Sequence, residues 1–331
     1  MNKIDFVIPW VDGGDPEWIA RKAKYSGQVL TGNEAERFRD WEQLKYWFRG
    51  VEKFAPWVNK IHFITCGHVP EWLNLDHPKL HWVKHEDYIP AEYLPVFSSH
   101  PIELNMHRIE GLSEKFVYFN DDFFLIDRVE PTDFFRDGIP CSTAGLSIPG
   151  EVGPAYASIL CANYAFINKH FRSREVMKKH IGKFIHPVYG LKHNLKSVLL
   201  LPYCQAFFPG LYFGHTPNAY LRSTLEEIWD KDPDVLHETC THRFRSPLDV
   251  AQNIFLWWQW CKGQIVPQDI RKMSKYILVS SEDEILTDMI SNQRKPILIL
   301  NDTDHVDFEH KKQVINSAFD VILGEKSSFE L

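Results

Sequence analysis

Two adjacent carboxylates stand inside an otherwise apolar run. From Phe116 to Leu125 every residue is aromatic or aliphatic except Asn120, Asp121 and Asp122. Such near-continuous apolar character marks a strand buried in a parallel sheet. Burying neighbouring carboxylates without partners costs several kcal/mol each. The acids therefore belong at the strand's carboxyl end, where open α/β sheets bind ligands. There, two carboxylates suit a divalent cation carrying phosphate. The plainer alternative is a polar turn between two strands.

Other groups of the right type lie along the chain. A helix expected over residues 98–112 buries Ile102, Met106, Ile109 and Leu112 and turns Glu103, His107 and Glu110 to another face, just ahead of the acidic strand. His215 sits between Gly214 and Pro217 in what reads as an ordered loop. Arg243 and Arg245, two apart on an extended segment, offer planar forks for phosphate, with surface ion pairs as the alternative. A helix expected over 37–55 buries Phe38, Trp41, Leu44, Phe48, Val51 and Ala55. Arg37, Arg39, Asp40 and Arg49 lie off that stripe, as a solvated face or as an arginine turned to phosphate. A second apolar strand, 296–300, again ends in polar residues, Asn301, Asp302, Thr303, Asp304 and His305.

The elements that must position these groups follow an α/β rhythm. Residues 4–10 read as a strand running into the loop Trp10-Val11-Asp12-Gly13-Gly14, with Asp15 and Pro16 as N-cap and first-turn residue of a helix. The loop is neither a dinucleotide fingerprint nor a Walker A motif. Strands over 60–66 and 80–83 follow with short connections, so the sheet is expected to be parallel. Residues 127–153 read as a loop-rich crossing, and the basic run Lys169, Arg172, Arg174, Lys178 and Lys179 as a solvated helix face. The apolar run 198–201 is stopped by Pro202. Ser223 and Glu226 suggest a capping box opening a helix to Trp229, and 248–260 a heavily aromatic core helix. A strand over 276–280 and a closing helix over 308–319 complete the chain. With no internal repeat and no linker, residues 1–331 read as one catalytic unit with a helical subregion near 150–265.

Bulk properties bound the function. A formal charge of −7 over 331 residues argues against nucleic acid as the main partner. The 11 Trp and 14% aromatic content suit carbohydrate or nucleotide clefts and core alike. Six scattered cysteines contain no C-x-x-C pair, which speaks against a zinc site and for a reducing compartment. The amino-terminal stretch is charged where a signal peptide would be apolar, and no run approaches a membrane span.

Several stretches together resemble the Stealth family, the sugar-1-phosphate transferases of bacterial capsule and wall polysaccharides, to which the animal lysosomal-enzyme N-acetylglucosamine-1-phosphotransferase also belongs. They are the block from Ile4 to Gly13, the long block from Arg37 to Phe124, the block from His215 to Arg245, and Leu300-Asn301-Asp302 through the closing helix. The long block includes Glu52-Lys53-Phe54-Ala55-Pro56-Trp57-Val58 and His107-Arg108-Ile109-Glu110-Gly111-Leu112-Ser113. The first block has Val-Asp-Gly where animal members tend to have Val-Asn-Gly, and the large animal insertions are missing, so a bacterial polysaccharide role is favoured. The resemblance implies a Rossmann-like nucleotide-sugar transferase sheet of the GT-A kind. It also implies a Mg²⁺- or Mn²⁺-dependent transfer of sugar 1-phosphate from a UDP-sugar to an oligosaccharide or lipid-linked glycan, with release of UMP. Family catalytic positions fall on Glu103, Asp122, His215 and Arg245. Metal would be held by Asp121, Asp122 and Asp302, and the nucleotide by Trp10, Asp12, Gly13, Arg37 and Asp40, with Arg243 helping Arg245. His215 and Glu103 both remain candidates for the base. The protein is expected in the cytoplasm, at the inner face of the membrane at most.

Overall fold

The computed structural model describes residues 3–26, 40–149, 154–303 and 306–331. Its strands are β1 (Ile4–Pro9), β2 (Ile61–Thr65), β3 (Leu80–Lys84), β4 (Lys115–Tyr118), β5 (Phe123–Leu125), β6 (Phe135–Arg136), β7 (Ile139–Ser142), β8 (Asn218–Leu221), β9 (Val266–Pro267), β10 (Ser274–Leu278) and β11 (Ile297–Asn301). The main sheet runs β3-β2-β1-β4-β8. Its first four strands are parallel, and β8 runs antiparallel to β4. From β1 the chain builds outward to β3 and then returns to place β4 on the other side of β1. The order thus reverses between β1 and β4, and the crevice outside their carboxyl ends is where open α/β sheets bind ligands. Expectation and structure agree on this parallel α/β sheet.

Alternation along the strands gives the sheet two apolar faces. Ile4, Phe6, Ile8 and Val117 enter one core with helices Leu44–Phe54 and Phe308–Leu323 and a second sheet, β10-β11-β5. Val7, Phe116 and Tyr118 enter the other, beneath the helices between Pro154 and Cys261. β6, β7 and β9 form a small third sheet. Gly50 lets helix Leu44–Phe54 lie directly on β5, since a Cβ there would collide with the Leu125 carbonyl oxygen.

Several boundaries depart from the sequence reading. Of the helix expected over 37–55, residues 37–39 lie outside the described residues, and Glu42 at φ 54° delays the start to Leu44. The helix expected over 98–112 ends at Leu104, and a separate turn spans Met106–Arg108. Between them the Asn105 side chain bonds the Pro101 carbonyl at 2.8 Å, competing with the helical pattern. No capping box forms at Ser223, whose hydroxyl donates to Glu114 (2.5 Å), and that helix begins at Arg222. The aromatic helix starts at Asn253, because Ser246 to Asp249 form a turn instead. The run 198–201 belongs to the end of helix Leu191–Leu200 and the turn after it.

Candidate active site

Sheet topology delivers four segments to one rim. β4 ends at Tyr118 beside Val7 of β1, so the Trp10–Gly14 loop and Asp121-Asp122 leave the same edge of the sheet. Because β8 is antiparallel to β4, with Asn218 opposite Tyr118, the chain must enter it at that edge, carrying His215. β11 is antiparallel to β5, and the Leu300 N–H donates to the Asp122 carbonyl at 3.0 Å, which brings Asp302 to the same rim.

The outcome is a carboxylate–imidazole pair. His215 Nε2 lies 3.0 Å from Asp122 Oδ2, both groups being partly open to water at 33% and 25%. A carboxylate only accepts, so Nε2 carries the hydrogen and donates it, and Nδ1 has no partner among the described residues. Phe123 and Tyr276 hold the imidazole edge-on, at 4.8 and 5.9 Å between ring centres. Asp121 next door reaches water, yet crowding by protein and the Asp122 charge push its pKa up to about 7. Contact with water tempers that push.

Glu103 lies beneath this rim rather than on it. It is 5% exposed, accepting from the Tyr118 hydroxyl at 3.2 Å and the Gln252 N–H at 3.3 Å. Burial and the Glu103 charge raise the Tyr118 pKa well above its ordinary value. Arg245 reaches the start of helix Ser99–Leu104, donating to Ser99 Oγ at 3.1 Å. Glu103 and Arg245 both act on partly buried Tyr156, the first raising and the second lowering its pKa, which desolvation by the surrounding protein carries to about 12. Arg243 turns elsewhere, its guanidinium over the Tyr25 ring at 5.1 Å. The two arginines therefore do not face one direction as expected. Nor do Glu103, His107 and Glu110 share a working face: His107 packs on Trp229, and Glu110 is exposed.

In the amino-terminal loop, the Asp12 N–H donates to His68 Nε2 at 2.8 Å, and Asp12 Oδ1 accepts from the Gly14 N–H at 2.8 Å. Trp10 stacks on Phe63, and Gly13 is half-buried. Asp40 is exposed, and Arg37 lies outside the described residues. Asp302 Oδ2 accepts from Trp41 Nε1 at 3.0 Å.

Comparison with known proteins now decides the family. The Stealth conserved regions 1, 2 and 3 match residues 2–30, 37–141 and 214–256. The chain is 41% identical to the receptor polysaccharide phosphotransferase WefC of Streptococcus oralis, over all of both chains. It is 39% identical to a capsular polysaccharide phosphotransferase, WcwK, of Streptococcus pneumoniae over 100% of this chain and 98% of that one. The chain belongs to the Stealth family. This Stealth protein is an enzyme, a phosphotransferase. An exopolysaccharide phosphotransferase, cps2G of Lactiplantibacillus plantarum, is 35% identical over 99% of this chain and 96% of its own. Among solved structures, the galactosyltransferase LgtC aligns with 95% of each chain at 11% identity and TM-score 0.40, a loose likeness.

Within this Stealth protein, Asp121 and Asp122 offer adjacent oxygens and His215 a nitrogen. Among the described residues no three His, Cys, Asp or Glu side chains converge as a metal cage. A Mg²⁺ that keeps its waters and leans on substrate phosphate needs only one or two carboxylates, and two crowded carboxylates, one with a raised pKa, fit that need. Among groups that sequence reasoning passed over, Asp249 stands out. Fully buried, it accepts from His100 Nδ1 (3.1 Å), His242 Nδ1 (2.7 Å) and the Ser246 N–H (2.8 Å), fixing the loop that carries Arg245. No spacing signals this, since His100 is 149 residues away.

Proposed function

We propose that this protein transfers a sugar 1-phosphate, of a hexose or N-acetylhexosamine, from a UDP-sugar to a hydroxyl of an acceptor glycan. UMP is released, and a phosphodiester forms in a bacterial capsular or cell-wall polysaccharide. The Asp122–His215 pair at the β1/β4 switch point carries this reading. His215 Nδ1 accepts the proton of the acceptor hydroxyl while Asp122 holds Nε2–H and steadies the imidazolium that results. The hydroxyl oxygen bonds to the β-phosphorus, and the bond from that phosphorus to the oxygen it shares with UMP breaks. Arg245 stabilises charge on the transferred phosphoryl oxygens, and positioning with such charge neutralisation is the main source of rate in these transfers. Trp10, Asp12 and Gly13, with Arg37 and Asp40, hold the uridine end. Asp121 and Asp122, with Asp302 on the same rim, would hold Mg²⁺ or Mn²⁺, whose charge neutralises the diphosphate. The whole chain works as one catalytic unit in the cytoplasm, taking an oligosaccharide or lipid-linked acceptor.

The test is the nucleotide released from a panel of UDP-sugars with Mg²⁺ and a glycan acceptor. UMP that requires acceptor supports the proposal. UDP would make the protein a conventional glycosyltransferase. Bound donor with neither product, across acceptors prepared from the native polymer, would make it a silent binding subunit.

A further inference from the structure

Helix Leu191–Leu200 presents its apolar side to water. Leu191, Leu195, Val198 and Leu199 recur at four- and three-residue steps and are 84, 53, 45 and 64% exposed, and Tyr203 and Phe207 extend the patch in the turn that follows. The opposite side is fixed to the protein. His193 Nε2 bonds the Ala144 carbonyl at 2.8 Å, and Ser197 Oγ accepts from the Leu146 N–H at 3.1 Å. The helix therefore cannot roll its leucines inward. Soluble monomers rarely leave a contiguous patch of this kind uncovered.

Charge around the patch is mainly positive, although Arg271 is paired with Asp269. Residues 154–217 hold eight Lys or Arg and one acid, Glu175, in a chain whose formal charge is −7. Arg172, Arg174, Lys178, Lys179 and Lys192 are exposed, and the Arg172 guanidinium lies over the Phe207 ring at 5.4 Å. Lys192 and Lys196 also line a cleft of about 440 Å³ whose floor includes Arg271, Tyr189 and Tyr212.

We propose that this face docks the protein on an anionic lipid bilayer, with helix Leu191–Leu200 lying in the plane of the interface. Protein–protein interfaces are depleted of lysine. An apolar helix face edged by Lys and Arg is instead the composition of interfacial membrane helices, and anionic headgroups attract such basic clusters. The aliphatic stem of exposed Lys192 extends the apolar surface while its ammonium group reaches headgroup phosphates; Lys196 is tied to Ser147 Oγ at 3.2 Å. Only seven residues separate Phe207 from His215, so docking would hold the catalytic rim near the bilayer. The proposal does not depend on which nucleotide is released.

Cosedimentation of the full chain with vesicles of phosphatidylcholine, with and without phosphatidylglycerol, tests it. Binding is expected to need the anionic lipid and to weaken with salt. L195E/L199E, at exposed positions, should lower partitioning by roughly tenfold or more, and K178E/K192E should lower it on anionic vesicles. V321E, on an exposed part of the closing helix, should change nothing. Circular dichroism checks that each variant is folded. Wild-type protein left in the supernatant with anionic vesicles overturns the proposal, as does binding that L195E/L199E leaves intact. Self-association in sedimentation velocity that L195E/L199E abolishes, without vesicle binding, would assign the patch to a second copy and equally overturn it.

Discussion

Glu103 and His215 are both proton acceptors by residue type, and the fold separates them. Both Glu103 oxygens are occupied, by the Tyr118 hydroxyl and the Gln252 N–H, and water hardly reaches them. His215 is oriented by Asp122 through Nε2, and its second nitrogen has no partner among the described residues. Accordingly, His215→Ala should lower kcat by about 10²–10⁴ with Tm unchanged. Glu103→Gln should lose about 1–2 kcal/mol of stability, through one mismatched buried hydrogen bond, and less than roughly tenfold in kcat. Single-turnover rates beside thermal melts distinguish the two, and a Glu103→Gln enzyme that is stable but inert would move the base to Glu103. Strand-end logic made Asp121, Asp122 and Asp302 legible in the sequence, since charge is expelled from a buried apolar strand. The pattern around His215 shows only an ordered loop between Gly214 and Pro217, and its catalytic role comes from the resemblance. Its meeting with Asp122 depends on β8, a four-residue strand whose pairing with β4 no local pattern announces.

At the scale of elements, the site rests on contacts between segments far apart in sequence. The loop bearing Arg245 is tied down by Asp249, and removing that acceptor leaves two imidazoles and the Ser246 N–H unsatisfied near the core. Asp249→Ala should lose about 3 kcal/mol of stability and about 10²-fold in kcat as Arg245 loses its place. If Asp249 acts through Arg245, the double variant with Arg245→Ala should be no slower than Arg245→Ala alone. Full additivity in that cycle would sink the positioning role. Gly50 makes a similar point without chemistry. Gly50→Ala should cost about 1–3 kcal/mol by driving helix Leu44–Phe54 off the Leu125 carbonyl, seen as a lower urea midpoint. Periodicity found the helices at 44–54 and 99–104, but set the start of the first too early and the end of the second too late. An Asn105 side chain bonding backward and a left-handed Glu42 are single-residue events that no repeating pattern encodes.

For the molecule as a whole, packing helices over both faces of one sheet buries imidazoles that unfolding would return to water. His68, His77, His81, His85, His107, His180 and His193 all have pKa values below the ordinary 6.5, with burial as the leading cause. His107 is pushed to about 3, its Nδ1 buried without a hydrogen-bond partner among the described residues and its ring against Trp229. A group that binds its proton less tightly when folded stabilises the fold above its unfolded pKa, and that stability is lost as pH falls toward the folded value. The loss for these residues begins near pH 6.5. The carboxylates with lowered values, Asp5, Asp232, Asp283, Asp288 and Glu330, start from unfolded values of 3.8, or 4.5 for Glu330, so their stabilisation is lost only at lower pH. Between pH 7 and pH 5 the histidines therefore lower stability, while Asp121, whose raised value also titrates there, works in the opposite direction. His107 alone should contribute a loss of about 2 kcal/mol across that span. His107→Phe keeps an aromatic ring on Trp229, removes the orphaned nitrogen and cannot be protonated. Its stability from urea unfolding should fall less steeply than wild type between pH 7 and 5, by about that amount, with kcat at neutral pH unaltered. Equal slopes would mean that His107 is already solvated in the folded protein. A collapse of kcat would return it to the working face that its spacing from Glu103 first suggested.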